Sequence, residues 1–265
     1  MQKKFFETPT KLLAHRGIPL EYPENTLISF KKAVEFGVDV LETDTHLTKD
    51  KKFVILHDDD VSRVSNGTGK PADYTLEELR KFDAGYNFTN DNGGTFPFRG
   101  KGITFTSVDE ILSEFPNQKF NIDLKDSNSS QVQYWVELIK EYDAEHRVLT
   151  ASQYTRNLKL VRKHFPNMVT CFSAKEVFGF YLRNKFGMIN EKSRFSGDAL
   201  QVPVSMGPLH IVTERSIKNA HKKGLYMHVW TINEEETMKK LFEMGVDGIF
   251  TDDPKLLKKV IKKVF

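Results

Sequence analysis

Short apolar runs alternate with amphipathic stretches along almost the whole chain. The runs have the length and β-branched character of strands, and the stretches after them repeat apolar residues with a helical period. The predicted strands are Leu12–His15, Val38–His46, Phe120–Lys125, Val148–Ser152, Val169–Phe172, Ala199–Pro203, Leu225–Thr231 and Gly248–Thr251. The helices predicted to follow them are Glu24–Phe36, Ser107–Phe115, Ser130–Tyr142, Thr155–His164, Ala174–Lys185, Thr213–Lys223, Glu234–Glu243 and Pro254–Val264.

This alternation favours a parallel sheet covered by helices. Eight repeats in a chain of 265 residues favour closure of that sheet into a barrel. We therefore predict an α/β fold, a (β/α)8 TIM barrel, in which residues 1–265 form a single domain. No internal repeat and no linker indicates a second domain.

One further strand, Phe53–His57, has no helix before it. The stretch that links it to the preceding strand is too short for a parallel crossover, so the two strands should form an antiparallel hairpin. With a turn centred near Asp50–Lys51, His57 would lie opposite Asp44, within about 5 Å across the pair. A shift of one residue would turn the histidine to the other face.

Residues 59–106 are rich in Gly, Asn, Asp and Thr, with one weak helical stretch at Thr75–Phe82. The segment is too long for an ordinary connection. We predict that this 59–106 segment is an insertion after strand 2 that caps the barrel mouth, the face where the carboxyl ends of the strands lie.

Composition narrows the class of protein. Hydrophobic residues make up 39% and charged residues 28%, as in ordinary globular proteins. A net charge of +3 is too small to indicate nucleic acid, although it suits an anionic small substrate. The single cysteine, Cys171, excludes an internal disulfide framework. No signal peptide or membrane span is recognisable, so we expect a cytoplasmic protein.

Reactive groups of an eightfold barrel gather at the carboxyl ends of its strands. Glu42 and Asp44 are two residues apart and point to one side of their strand, as do Asp123 and Lys125. Three carboxylates from two strands could therefore meet at one ion. Oxygen ligands favour Mg²⁺, Ca²⁺ or Mn²⁺ over zinc. The alternative, solvated acids at a strand end, fits poorly because the pair lies in an apolar strand.

Two histidines could carry protons and two cations could bind phosphate. His15 and His57 each end a short apolar strand, and histidine titrates near neutral pH. The guanidinium of Arg16 matches phosphate oxygens. Each residue also has a purely structural interpretation: a histidine bound to a backbone carbonyl, or Lys125 as a partner of Asp123. Other polar residues at predicted strand ends are Ser152, Gln153, Gln201, Trp230, Thr231, Asn233 and Asp252.

Several motifs stand in order along essentially the whole chain: LLAHRG, Pro23-Glu24-Asn25-Thr26, Val40-Leu41-Glu42-Thr43-Asp44, Val54-Ile55-Leu56-His57-Asp58, Ile122-Asp123-Leu124-Lys125, Val229-Trp230-Thr231-Ile232-Asn233 and Gly248-Ile249-Phe250-Thr251-Asp252-Asp253-Pro254. Together they resemble the motifs of the glycerophosphodiester phosphodiesterases. A phosphatidylinositol phospholipase C-like or sphingomyelinase D-like barrel uses related chemistry, but the Trp-Thr-x-Asn and Thr-Asp-x-Pro pieces favour the former family.

The resemblance implies an acid and base pair formed by His15 and His57. It further implies a divalent cation held by Glu42, Asp44 and Asp123, and substrate contacts from Arg16, Lys125 and Trp230. The family usually has glutamate where this chain has Asp123, one methylene shorter, so this residue could act through water. The implied reaction is metal-dependent hydrolysis of a glycerophosphodiester to glycerol 3-phosphate and an alcohol.

Two alternatives remain open at this point. Residues 172–195 combine aromatic with basic residues, which fits either a helix packed on the barrel or a lip that contacts an acyl chain or a membrane. The second option would suit lysophospholipase D activity on lysophospholipids. A non-catalytic barrel that binds phosphorylated ligands is the alternative of another class. The oligomeric state, the metal and the alcohol stay open.

Overall fold

The computed structural model describes residues 3–265, and eleven strands and nine α-helices form in that range. The strands are β1 (Leu12–His15), β2 (Val40–Leu47), β3 (Phe53–Ile55), β4 (Lys119–Leu124), β5 (Val148–Ala151), β6 (Val169–Thr170), β7 (Ala199–Val202), β8 (Ser205–Met206), β9 (Leu209–His210), β10 (Tyr226–Val229) and β11 (Gly248–Thr251). The helices are α1 (Leu27–Phe36), α2 (Leu76–Leu79), α3 (Val108–Glu114), α4 (Gln131–Glu141), α5 (Thr155–His164), α6 (Ala174–Lys185), α7 (Glu214–His221), α8 (Glu235–Glu243) and α9 (Pro254–Val264).

Eight parallel strands form a nearly closed barrel in the order β6-β5-β4-β2-β1-β11-β10-β7. The ends of this order meet where Cys171 pairs in parallel with Ala199, and the amide of Phe172 donates to the carbonyl of Ala199 at 3.0 Å. The predicted (β/α)8 TIM barrel is therefore confirmed. The first two residues of the predicted domain lie outside the described range.

Side chains that accept hydrogen bonds from first-turn amides mark where helices begin. Ser173 accepts a hydrogen bond from the amide of Glu176, whose carboxylate accepts one from the amide of Ser173, so α6 begins with a capping box. Asp253 accepts from the amide of Leu256, and Pro254 occupies the first position of α9. These caps fix where α6 and α9 begin.

The hairpin of β2 and β3 forms, but its predicted register is wrong by one residue. Thr45 pairs with Ile55, and the amide of Leu56 donates to the carbonyl of Asp44, so His57 lies past the point opposite Asp44. The cause is a three-residue turn that centres on Asp50, in which Lys51 adopts a left-handed conformation with φ 64°.

The 59–106 segment has little regular structure but possesses a core of its own. It contains two 3₁₀ turns, Val61–Arg63 and Pro71–Asp73, and the short helix α2. Its buried apolar side chains cluster with those of β3 and the residue that follows it: Val54, Leu56, Val61, Leu76, Leu79, Ala84 and Phe105.

The predicted lip at 172–195 is divided between two faces of the barrel. The connection from β6 to α6 lies at the barrel mouth, whereas residues 186–198 connect α6 to β7 at the opposite face. Phe180 packs into the core, whereas Phe178, Phe186 and Met188 are exposed. A hairpin that the pattern did not predict, β8 and β9, lies instead in the connection from β7 to α7.

The amino end of the barrel is filled by aromatic side chains. A 3₁₀ turn at Lys4–Phe6 buries Phe5 and Phe6, and the ring of Phe6 stacks on that of Tyr226 at 3.6 Å. Above them lies His228, completely buried, with neither ring nitrogen hydrogen-bonded to another described residue. Burial lowers the pKa of His228 to about 3. None of the helices in residues 3–265 has the length and apolar character needed to cross a membrane.

We expect His228 to make the protein sensitive to acid. The unfolded chain takes up a proton at this residue below pH 6.5, and the folded chain only near pH 3, so protonation favours unfolding across that window. In the His228→Leu variant this effect is absent. As the pH falls below 6, the free energy of unfolding of this variant should rise relative to that of wild type, by about 1.4 kcal/mol for each pH unit. Urea unfolding between pH 7 and 5 measures this difference, and parallel curves for the two proteins would contradict it.

Candidate active site

Strand register brings the predicted polar residues together at the barrel mouth. His15 pairs with Glu42 across β1 and β2, and Asp44 pairs with Asp123 across β2 and β4. Lys125 follows β4 directly. Because all these strands are parallel, their carboxyl ends present these side chains on one face.

Lys125 lies between two of the carboxylates. Its Nζ is 2.8 Å from Asp44 Oδ1 and 2.8 Å from Asp123 Oδ2. Arg16 Nε is 3.4 Å from Asp44 Oδ2. Burial alone would raise the pKa of Asp44, but Lys125 and Arg16 lower it below its usual value. For Asp123, burial and the neighbouring charge of Asp44 outweigh the effect of Lys125 and raise the pKa.

Of the three carboxylates, Glu42 is the one whose negative charge is least compensated by neighbouring cations. Only 7% of the residue is exposed, its Oε2 lies 4.0 Å from His15 Nε2, and it accepts a hydrogen bond from the amide of Arg16 at 3.3 Å. Burial and the neighbouring charge of Asp44 raise the pKa of Glu42 to about 7. A cation at this position would therefore stabilise the ionised form of Glu42.

The donor set suits a hard divalent cation. Within the described range no three Asp, Glu, His or Cys side chains form a ready metal cluster, and the ammonium of Lys125 lies between Asp44 and Asp123. However, the neighbouring cations do not offset the burial of Glu42, and the buried Oδ2 of Asp44 accepts no hydrogen bond from residues 3–265. Three carboxylates with unused oxygen atoms fit Mg²⁺, Ca²⁺ or Mn²⁺.

His15 is held through its Nδ1 atom. That nitrogen lies 2.7 Å from Asp252 Oδ1, at the end of β11. Asn233 donates to Asp252 Oδ2 at 2.7 Å, and Asn233 Oδ1 accepts hydrogen bonds from Thr251 and from the amide of Asp252. Burial lowers the pKa of His15, but the Asp252 hydrogen bond and the Glu42 charge outweigh it and raise the pKa above 6.5. The Nε2 atom stays available for proton transfer.

His57 is held in the same way from the other side of the site. Its Nδ1 lies 2.7 Å from Asp58 Oδ1, and Asp58 Oδ2 accepts a hydrogen bond from Arg63 Nε. The side chain is 37% exposed, and its charge lies close enough to Asp44 to help lower the pKa of that carboxyl. The shifted register therefore does not remove His57 from the site.

Arg16 occupies a sharp turn. Its φ is 57°, and that of the following Gly17 is 92°. A Cβ atom at Gly17 would lie 2.2 Å from Ser29 Oγ, so only glycine fits. The turn aims the guanidinium at Asp44 and lets its Nη1 donate to Glu24 Oε1 at 2.9 Å. Trp230 follows β10 at the rim of the barrel mouth and is 45% exposed.

The sequence analysis assigned no role to the residues that hold these groups. They are Glu24, Asp58, Arg63, Asn233 and Asp252. Four of them occur within the recognised motifs, which could have indicated their importance. Arg63 lies in the 59–106 segment, where no hydrophobic period or motif marks it.

Comparisons with known proteins agree with the motifs. The model of the glycerophosphoryl diester phosphodiesterase family matches residues 15–256. The glycerophosphodiester phosphodiesterase of Caldanaerobacter subterraneus subsp. tengcongensis is 32% identical, over 96% of this chain and 98% of its own. A human lysophospholipase D is 24% identical, over 97% of this chain and 88% of its own. The resemblance stated from the sequence is confirmed.

A solved structure shares the fold. A phosphodiesterase from Oleispira antarctica, in complex with the product sn-glycerol-3-phosphate, has a TM-score of 0.78 and 22% sequence identity. The match covers 98% of this chain and all of the other, 100%. The likeness therefore extends over the entire barrel.

We expect Lys125→Met to destabilise the protein when no divalent ion is present. The change leaves Asp44 and Asp123 adjacent without their shared cation, which should cost about 3 kcal/mol of unfolding free energy. Added Mg²⁺, Ca²⁺ or Mn²⁺ should restore more stability to this variant than to wild type, because the ion replaces the missing charge. Urea unfolding with EDTA and with each ion measures both effects.

Lys32→Met is the matched control, since Lys32 forms an exposed pair with Glu35 at 2.7 Å. It should change stability little, with or without the ions. Equal behaviour of the two variants would show that Lys125 does not neutralise the buried acids.

Proposed function

The chain belongs to the glycerophosphoryl diester phosphodiesterase family and is a phosphodiesterase of glycerophosphodiesters, and we propose that His15 and His57 carry out its chemistry at the barrel mouth. The products are glycerol 3-phosphate and an alcohol. One observation carries the proposal: each histidine has its Nδ1 bound to a carboxylate, with the acidic cluster adjacent. Each Nε2 can then exchange a proton with the substrate.

We assign the proton transfers to the two Nε2 atoms. A neutral histidine bound to aspartate through Nδ1–H accepts a proton at Nε2, and a protonated one donates from the same atom. One histidine takes the proton of the attacking hydroxyl, and the other protonates the departing alkoxide. Water or the adjacent glycerol hydroxyl can serve as nucleophile, and both routes require the same pair of groups.

Cations and a capping segment complete the proposed site. Arg16 and Lys125 hold the phosphate oxygens and Trp230 borders the bound alcohol. Glu42, Asp44 and Asp123 would hold a divalent cation, either Mg²⁺, Ca²⁺ or Mn²⁺, which when bound stabilises negative charge on the phosphoryl group. The 59–106 segment caps the barrel mouth, and the ion pair between Arg63 and Glu24 supports this placement.

Replacement of either histidine tests the assignment. His15→Ala and His57→Ala should each lower kcat on glycerophosphocholine by about 10²–10⁴-fold, because general acid and base catalysis supplies about that factor. The variant His221→Ala is a matched control: His221 Nε2 also binds a carboxylate, Asp247, at 2.9 Å, but at the end of α7 away from the barrel mouth. Near-normal turnover by a folded His15 or His57 variant would refute the roles assigned here.

Hydrolysis of lysophospholipids is the second candidate function, as in the human lysophospholipase D. Exposed apolar side chains favour it. Met206 and Leu209, paired across the β8–β9 hairpin, follow β7, and Trp230 follows its barrel neighbour β10. An acyl chain or a membrane surface could cover this part of the rim. Membrane contact through residues 172–195 would rest mainly on Phe178, since residues 186–198 face away from the site.

The ratio of activities on two substrates distinguishes the two candidate functions. If the rim binds an acyl chain, Met206→Ser/Leu209→Ser should lower kcat/KM for lysophosphatidylcholine relative to glycerophosphocholine about tenfold, equivalent to roughly 1.4 kcal/mol of lost apolar contact. Phe186→Ser/Met188→Ser removes exposed apolar side chains at the opposite face and should leave the ratio unchanged. Equal ratios for wild type and both variants would exclude an acyl subsite at the β8–β9 hairpin.

A further inference from the structure

Arg63 contacts carboxylates that belong to both halves of the site. Its Nη1 and Nη2 donate to the two oxygens of Glu24 at 2.9 and 2.7 Å, and its Nε donates to Asp58. Glu24 also binds Arg16, the proposed phosphate ligand, while Asp58 binds His57. One guanidinium therefore joins the loop after β1 to the end of the β2–β3 hairpin.

We propose that Arg63 is a positioning residue that sets His57 through Asp58 and Arg16 through Glu24. The inference rests on the proposed function, since both assisted residues take their roles from it. Arg63 itself does not touch the reacting atoms. It acts by fixing two carboxylates that also bind functional side chains. Glu24 binds Arg16, and Asp58 binds His57.

The chemistry of the contacts requires arginine. Three nitrogen atoms of one planar group bind two carboxylates at the same time, and the pair with Glu24 is bidentate. The single ammonium of lysine cannot reproduce this fork. Arg63 lowers the pKa of both Glu24 and Asp58 despite their partial burial, so both stay ionised and keep their partners.

The fold of the 59–106 segment holds Arg63 in place. Val61 is fully buried, and Asp60 binds the amides of Ser62 and Gly69 at 2.8 and 3.0 Å. The side-chain amide of Asn87 lies within 3.2 Å of three carbonyl oxygens of the same turn, those of residues 62, 63 and 65. The segment thus has a task beyond covering the barrel mouth: it presents this guanidinium to the site.

The test compares Arg63→Ala and Arg63→Lys with Asp58→Asn and Glu24→Gln, using glycerophosphocholine. Arg63→Ala should lower kcat by roughly 10–100-fold and also raise KM, as is typical when the partner of a functional side chain is lost. Asp58→Asn should reproduce mainly the fall in kcat, and Glu24→Gln mainly the rise in KM. Arg63→Lys should stay impaired, and millimolar guanidinium should partly restore Arg63→Ala but not Asp58→Asn.

Arg99→Ala is the matched control in the same segment. The Arg99 guanidinium stacks between the rings of Tyr86 and Phe96 at 4.1 and 3.9 Å and touches no site residue, so this variant probes the packing of the segment alone. Full activity of Arg63→Lys, or equal effects of Arg99→Ala and Arg63→Ala, would overturn the proposal. Loss of activity in the histidine variants together with a normal Arg63→Ala would refute the positioning role and leave the proposed function intact.

Discussion

Buried negative charge on β2 and β4 is the constraint on which the barrel mouth depends. Asp44 and Asp123 face each other in register, and Glu42 lies one strand repeat below Asp44. Carboxylates withdrawn from water are stable only beside cations or hydrogen-bond donors. Lys125 and Arg16 supply that charge. Arg16 in turn pairs with Glu24, so alternating acids and bases extend from the barrel interior to the surface.

The same charges explain why a phosphodiester would need a divalent cation here. Burial and the neighbouring charge of Asp44 raise the pKa of Glu42 to about 7, although His15, Arg16 and Lys125 act to lower it. An anionic substrate would add one more negative charge to a site already short of positive charge. A divalent cation held by these carboxylates would reverse that balance and favour the ionised form of Glu42. In the proposed site, the acidic cluster would therefore accept the substrate together with the ion.

Much of the architecture could be predicted from the sequence because each signal for it is local. Eight alternating repeats define the barrel, and strand ends place His15, Glu42, Asp44 and Asp123 on one face. The register of the β2–β3 hairpin could not be predicted, since it depends on the left-handed conformation of Lys51. The partners of the histidines depend on tertiary contacts instead: Asp252 lies 237 residues from His15, and no periodicity marks Arg63.

The two histidines are held by different kinds of structure. Asp252, which orients His15, directly follows β11, and Asn233 lies in the loop after the neighbouring strand β10, so the contacts of this histidine come from the barrel itself. His57 is oriented by its neighbour Asp58 and by an arginine from an irregular segment with a small separate core. We therefore expect a change that loosens the 59–106 segment to displace His57 before it disturbs the barrel. Under the roles proposed for the two histidines, activity would then be lost through His57 without loss of the barrel, whereas displacing His15 would require a change in the barrel strands themselves.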